Sequence, residues 1–322
     1  MHAITLHSYG PAENLRLETV PDPEPGPGQV RIAVHAAGLH FIETRLRRGI
    51  PVGPHPAPGL PAILGSEVAG RVDAVGDGAD PALLGRRVVT SDVTSGGYAS
   101  LAVAPAADVT SLPDHLGYGA AVAMNTTGAT TMGLLELAPV TASDVVLATA
   151  AAGGIGTLLV RHAHRVGATV VGAAGGAAKT ARARELGADV AVDYTRPGWT
   201  DLVREAVGEV TVVFDGVGGP LAHAAFGLLA RGGRHVVFGQ ASGEWFAPDD
   251  SELKSREVTR FDGIGYLLGR PGGVADLQDK ALRAAADGLL EPAVQSFPLA
   301  EAAAAHAALE ARNTMGKVVL TV

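Results

Sequence analysis

The chain has no cysteine among its 322 residues. Disulfides, thiolate zinc sites and cysteine nucleophiles are therefore excluded. Aromatic residues make up only 4%, so the core has to be assembled from small aliphatic side chains. Basic residues are outnumbered, 25 against 33 acidic, for a formal charge of −8. A nucleic-acid surface, which needs clustered Lys and Arg, does not fit that balance. No apolar run reaches the roughly 18 residues of a membrane span, and residues 1–10 lack a basic segment followed by an apolar one. The expectation is a soluble, cytoplasmic protein without nucleic-acid or membrane partners. Neither Tyr-x-x-x-Lys nor Gly-x-Ser-x-Gly occurs, which removes two common catalytic layouts.

What is abundant is glycine, 43 residues, and its placement is informative. Residues 145–150 form a charge-free apolar run, as expected of a strand buried on both faces. Ile155, Leu158, Leu159, Ala163 and Val166 then share one face of a helix. Between them lie Gly153, Gly154 and Gly156. A glycine-rich turn that opens a helix directs unpaired N–H groups and partial positive charge outward, which suits a pyrophosphate. The fingerprint G-x-G-x-x-G is met only in part, because Ala151 holds its first position.

The rest of the chain gives that turn a context. Residues 1–112 read as short strands, at 29–36, 63–75, 85–89 and 97–103 among others, separated by Gly- and Pro-rich turns. A short helix is expected within 38–49, and a loop at 51–61. This texture fits a partly closed β domain. Beyond Leu112-Pro113 strands and helices alternate: strands at 145–150, 169–173, 189–192, 210–214 and 234–238, with helices at 154–166, 177–186, 199–207 and 219–230. That βαβ rhythm predicts a doubly wound parallel sheet. A helix at 274–288, an extended piece at 293–297, a helix at 300–311 and a last strand at 316–322 complete the chain.

This order resembles the medium-chain dehydrogenase/reductases. Ala150-Ala151-Ala152-Gly153-Gly154-Ile155-Gly156 is similar to the glycine turn of their zinc-independent quinone oxidoreductase branch, in which the first glycine is normally replaced. Leu64-Gly65-Ser66-Glu67-Val68-Ala69-Gly70 resembles a segment of the zinc enzymes, but Ser66 stands where their ligand histidine would be. Phe214-Asp215-Gly216-Val217-Gly218, Val237-Phe238-Gly239-Gln240 and Thr314-Met315-Gly316-Lys317-Val318-Val319 match the branch as well. The resemblance implies an α/β protein. Its Rossmann domain would span 119–263, and a GroES-like, mostly β substrate domain would span 1–118 and 264–322, with the active site in the cleft between them. It also implies an NADPH-dependent reductase of quinones or α,β-unsaturated carbonyls, and a homodimer extended through a strand near 256–261.

The chemistry can be weighed by residue. An NAD site usually carries Asp or Glu about 20 residues past the glycines, at the end of the second strand. Here that strand ends in Gly175-Gly176 without a carboxylate, and Lys179 and Arg182 follow. The two cations can meet a 2′-phosphate, or they are solvated helix charges. The resemblance places NADPH contacts at Lys179 and Tyr194. The other residues expected along the cofactor are Ala152, Gly153, Gly154, Ile155, Gly175, Gly216, Val217, Phe238, Gly239 and Gln240. Arg312 either reaches a phosphate or is a charge at a helix C-terminus. Asp215 is expected to be a turn residue rather than a base.

Without cysteine, and with Ser66 in the histidine's place, no metal is expected. Lewis-acid polarisation is then missing, which favours quinones and enones, whose reduction gives a delocalised anion. His40 and Glu43 lie where the family commonly carries Asn and Asp beside the nicotinamide. His40 can donate a hydrogen bond or a proton to the developing oxyanion. The alternative is that Glu43 pairs with Arg47 at i, i+4 and His40 only lines the pocket. Thr130, in Gly128-Ala129-Thr130, either bonds the nicotinamide carboxamide or is an internal helix hydroxyl. Two further readings stay open: an enone reductase dedicated to one secondary metabolite, with loop 51–61 and Trp245-Phe246 shaping its pocket, and a low-turnover NADPH-binding redox sensor.

Overall fold

In the second half of the chain the short apolar runs that alternate with helices become strands of one parallel sheet. The computed structural model describes all residues, 1–322, and the chain divides into two units, Met1–Thr126 with Leu282–Val322, and Thr127–Ala281. In the second unit the sheet holds six strands in the order Val190–Asp193, Thr169–Ala174, Val145–Thr149, Val210–Asp215, Leu229–Val237 and Thr259–Asp262. Every neighbouring pair is parallel. The order in the chain is that of the doubly wound dinucleotide fold, and it reverses between Val145–Thr149 and Val210–Asp215. One face is filled by Leu159, Val160, Ala163 and Leu186, the other by Trp199, Val203, Phe226 and Phe246.

Phe246 corrects one expectation. It is fully buried, with its ring 4.4 Å from that of His235 and 4.8 Å from that of His223, so it belongs to the core and shapes no pocket. Trp245 alone of that pair is exposed. The second domain crossing also moves, from 264 to Leu282. The reason is packing: Leu267 and Leu277 close on Gly133 of the helix Ala129–Leu137, where an added methyl would lie 2.4 Å from Leu267. Two short helices, Asp250–Arg256 and Gly263–Leu268, escape a periodicity search. Their mark is the cap: Asp249 accepts from Ser251 N and Asp262 from Gly265 N.

The first unit is built on the long strand Gln29–Leu39. Along its first half it pairs with Leu101–Pro105, and along its second half with Lys317–Thr321, while Val68–Val75 runs antiparallel along its other edge. Arg87–Thr90, Thr110–Ser111 and Val294–Pro298 complete a seven-stranded sheet, and His2–Leu6, Leu15–Thr19 and Ala62–Ile63 form a separate three-stranded one. Ile32, Leu39, Val68, Val88, Tyr98 and Leu320 fill the core.

The helix Phe41–Arg47 follows the long strand directly. Its Glu43 does not pair with Arg47, contrary to the i, i+4 alternative. Glu43 Oε2 accepts from Tyr98 Oη at 2.6 Å and from His40 N at 2.8 Å. Arg47, fully buried, donates to Glu310 Oε1 at 2.6 Å and to the Gly10 carbonyl. Long-range partners win because both side chains are buried, where only a fixed, desolvated partner satisfies them.

Candidate active site

The glycine-rich turn sits where the strand order of the second unit reverses. Ala150 ends the strand in a left-handed conformation, φ 48°, and the Gly153 N–H closes the turn on its carbonyl at 2.8 Å. Gly153 then starts the helix Gly154–Arg165 with no side-chain cap. The first-turn N–H groups are left to an external acceptor, at the positive end of the helix. That is a fit for the pyrophosphate of a dinucleotide. Ala151 in the first fingerprint position is consistent with this geometry, because the left-handed residue is its neighbour, Ala150. Ala150→Gly is expected to raise stability by about 0.5–1 kcal/mol, since the Cβ strain goes but chain entropy rises. A melting curve should show roughly 1–3 °C.

At the end of the second strand Gly175 lies against Tyr194; an added methyl there would be 3.4 Å from its ring. Lys179 is on the helix Ala177–Glu185 that follows. The turn itself is acid-free, yet Asp193 approaches it from the next strand. Its Oδ1 accepts from Gly176 N at 2.9 Å, from Thr195 N at 3.0 Å and from Thr195 Oγ1 at 2.6 Å. The Gly176 N–H, then Thr195, hold its carboxyl below the usual range. This oxygen is committed to the turn rather than free for a ribose.

Two further loops meet at the ends of the adjacent strands. Gly239 lies against Gly216, with a virtual methyl 2.5 Å from the Gly216 carbonyl oxygen, and the Ser242 N–H donates to Val217 O at 2.8 Å. Gly216, Val217, Phe238, Gly239 and Gln240 are thereby brought together. Asp215, fully buried, accepts from Thr149 Oγ1 at 3.1 Å, Val217 N at 3.0 Å and Gly218 N at 3.2 Å. Burial raises its carboxyl pKa against these bonds. Asp215 holds the loop and is a turn residue. Thr130 lies on the helix Ala129–Leu137, just after a π-helical stretch, Ala123–Gly128.

The first unit contains a cluster that sequence reading did not assemble. Leu39 pairs with Val318, and Ala37 with Val68. One residue further along each edge, His40 comes opposite Lys317 and Gly38 opposite Glu67, and Gly38, without a side chain, leaves Glu67 free to reach His40 two residues on. His40 Nε2 is 2.9 Å from Glu67 Oε2, and Lys317 Nζ is 3.1 Å from the same oxygen. Lys317 Nζ is also 2.9 Å from His40 Nε2 and 3.1 Å from Nδ1. The other Glu67 oxygen accepts from Thr126 N at 2.9 Å, with Asn125 Nδ2 at 3.5 Å.

Glu67 is fully buried, Lys317 5% exposed, and the His40 side chain 20% exposed. Burial alone would raise the Glu67 pKa. Lys317 and His40 beside it, with the bonds from His40 and Thr126, outweigh burial and bring it down to about 2. Glu67 is thus a carboxylate and only accepts, so His40 Nε2 carries a proton toward it, while the Lys317 ammonium, close to both ring nitrogens at once, lies against the face of the ring. Below this cluster Tyr98 donates to Glu43, and burial, then the Glu43 charge, push its phenol well above its ordinary value. Glu43 in turn fixes the His40 backbone. Arg312, past the helix Ala302–Glu310 and left-handed at φ 59°, has its guanidinium 4.2 Å from the Phe41 ring.

Glu67 and Lys317 were present in the two quoted motifs but had no role there. The available signal was a single charge directly before a short apolar run: Glu67 before Val68-Ala69-Gly70, and Lys317 before Val318-Val319-Leu320.

Fold and site together define a dinucleotide-dependent oxidoreductase with a separate β domain. Residues 26–114 match the alcohol dehydrogenase GroES-like domain family, and residues 186–320 the zinc-binding dehydrogenase family. The chain is 35% identical to a quinone oxidoreductase of Pseudomonas aeruginosa, over 98% of each chain. It is 32% identical to a 2-haloacrylate reductase of a Burkholderia species, over 99% of this chain and 98% of the other. A structure of Escherichia coli quinone oxidoreductase complexed with NADPH superposes with a TM-score of 0.87 at 28% identity, covering both chains completely. The chain belongs to the zinc-independent quinone oxidoreductase branch of the medium-chain dehydrogenase/reductase superfamily.

Proposed function

We propose that this protein is an NADPH-dependent reductase that adds a hydride to a quinone or an α,β-unsaturated carbonyl compound. The observation that carries the reading is the pair of dinucleotide features in the second unit: the uncapped helix start at Gly153 and the acid-free turn at Gly175 backed by Tyr194. Two relatives, named for quinone and 2-haloacrylate reduction, support the substrate class, since both names describe conjugated electrophiles. Bound NADPH supplies the hydride.

The chain's own residues do the rest. Ala152, Gly154 and Ile155 present N–H groups to the pyrophosphate and Gly153, its own N–H closed on Ala150, lets the turn approach it, while Gly175, Lys179 and Tyr194 receive the 2′-phosphate. Gly216, Val217, Phe238, Gly239 and Gln240 line the remaining length, and Thr130 bonds the carboxamide. Arg312 is retained as a phosphate contact. His40 is the hydrogen-bond donor for the substrate oxygen, because it is the one member of its cluster with an exposed edge. Glu43 acts by fixing the His40 backbone.

A panel of naphthoquinones and enones, followed at the NADPH absorbance, tests the reading. Turnover is expected with both classes, with kcat/KM higher for NADPH than for NADH. A higher value for NADH would overturn the assignment of Lys179 and Tyr194, and binding without turnover would favour the redox-sensor alternative. Selectivity for a single enone would favour the dedicated reductase. No helix is long and apolar enough to cross a membrane. We place the enzyme in the cytoplasm as a homodimer, paired through Thr259–Asp262, the edge strand of its sheet. Light scattering measures the dimer directly.

A further inference from the structure

The turn at Gly175-Gly176 has no acid of its own, yet the Asp193 carboxylate stands next to it. Beside a ribose, such a group normally accepts from the 2′-hydroxyl and selects the unphosphorylated dinucleotide. Asp193 is bonded in a way that reverses this sense. We propose that Asp193 is a positioning residue for cofactor specificity: it staples Gly175-Gly176 to Tyr194-Thr195 and so builds the 2′-phosphate pocket.

The strands Thr169–Ala174 and Val190–Asp193 pair in parallel as far as Ala174 opposite Asp193. The last rung is the Tyr194 N–H on the Ala174 carbonyl, at 3.2 Å. Past that rung the Asp193 side chain takes over. Its Oδ1 accepts from Gly176 N at 2.9 Å on one side, and from Thr195 N at 3.0 Å and Thr195 Oγ1 at 2.6 Å on the other. The Arg196 N–H closes the turn on the Asp193 carbonyl at 3.1 Å, which makes Tyr194 and Thr195 its two central residues. Both lie against Gly175, where an added methyl would be 3.3 Å from Thr195 Cγ2 and 3.4 Å from the Tyr194 ring. One oxygen thus fixes the two segments between which the phosphate is proposed to sit.

The same bonds take Asp193 out of competition for the ribose. A carboxylate oxygen offers about two lone pairs, and three donors on Oδ1 exhaust them. Oδ2 faces Arg196, whose Nε is 3.7 Å away, and only 17% of the side chain is exposed. A group that would choose NADH if it pointed outward is turned inward, where its work is to hold Tyr194.

The inference rests on the NADPH reading of this site, and fluorescence titrations with both cofactors separate the two. Asp193→Ala removes all three bonds. NADPH is expected to bind about 10-fold more weakly, with the NADH dissociation constant within about twofold of wild type. Asp193→Asn drops the charge but keeps an oxygen that can accept the same bonds, so it should bind NADPH within about twofold of wild type. Thr195→Val, close in shape and short of one bond, is measured alongside in case Asp193→Ala does not fold. It should weaken NADPH binding alone, by about 3–5-fold. Equal losses of NADPH and NADH, or wild-type binding by Thr195→Val, would make Asp193 a support of the strand ends and nothing more. Asn as weak as Ala, or tighter NADPH binding by both Asp193 variants, would show that charge and not the staple governs this site. The NADPH reading would stand in each of these cases. A wild type that binds NADH as tightly as NADPH would overturn both.

Discussion

Glu67→Gln is expected to cost about 3–5 kcal/mol of stability at pH 7, because it leaves the Lys317 ammonium without its carboxylate in a site closed to water. The same group dictates a pH dependence. Its pKa is held down from 4.5 to about 2, so the folded state favours the ionised form. That contribution is fully present above the unfolded value near 4.5 and is lost as the pH falls through about 2. From the size of the shift it is roughly 3 kcal/mol. Denaturant unfolding should therefore show the wild type and the variant far apart at pH 7 and converging between pH 4.5 and 2. A gap that stays constant across this range would mean that Gln disturbs packing rather than charge. In the double variant Glu67→Gln, Lys317→Met, no unpaired charge remains, and part of the loss should return.

Gly156→Ala should raise the NADPH dissociation constant by about 10–100-fold, a loss of about 1–3 kcal/mol by overpacking. A methyl at this position would lie 2.2 Å from the Ala150 carbonyl oxygen and 2.8 Å from Ala151 Cα. Both are backbone atoms of the turn that would have to open, and no rotamer can relieve the clash. Opening it moves the N-terminus of Gly154–Arg165 away from the strand end, and with it the N–H groups proposed to hold the pyrophosphate. Fluorescence titration with NADPH reads the affinity, and a melting curve reads the damage to the unit. Gly153→Ala is the useful contrast, because its nearest neighbour would be the same oxygen at 3.2 Å. If Gly156→Ala binds as tightly as wild type, the tight strand-to-helix turn is not what positions the cofactor.

The second unit was readable because its signals are local. Each apolar run and each following helix face lies within about twenty residues, and alternation between them leaves a parallel sheet as the one way to bury both. The Gly153–Gly156 turn and the missing carboxylate at Gly175-Gly176 are also local, and they point to a phosphorylated dinucleotide before any coordinates are known. Local reading failed where a buried charge chose its partner. Glu43 and Arg47 are four residues apart on one helix, yet each bonds a distant partner, Tyr98 and Glu310 respectively. Asp193 is likewise invisible as a neighbour of Gly176 until two parallel strands are set side by side.

By itself, then, the sequence determined the order of the elements, the dinucleotide turn, the absence of cysteine chemistry and the acid-free second strand. These are matters of composition and short spacing. Only the tertiary structure decided that His40 stands between Glu67 and Lys317, residues 27 and 277 positions away. Sheet register makes that choice: it aligns the ends of three strands and closes the pair from water, so that an ordinary Glu and Lys become a charged couple beside a half-open histidine.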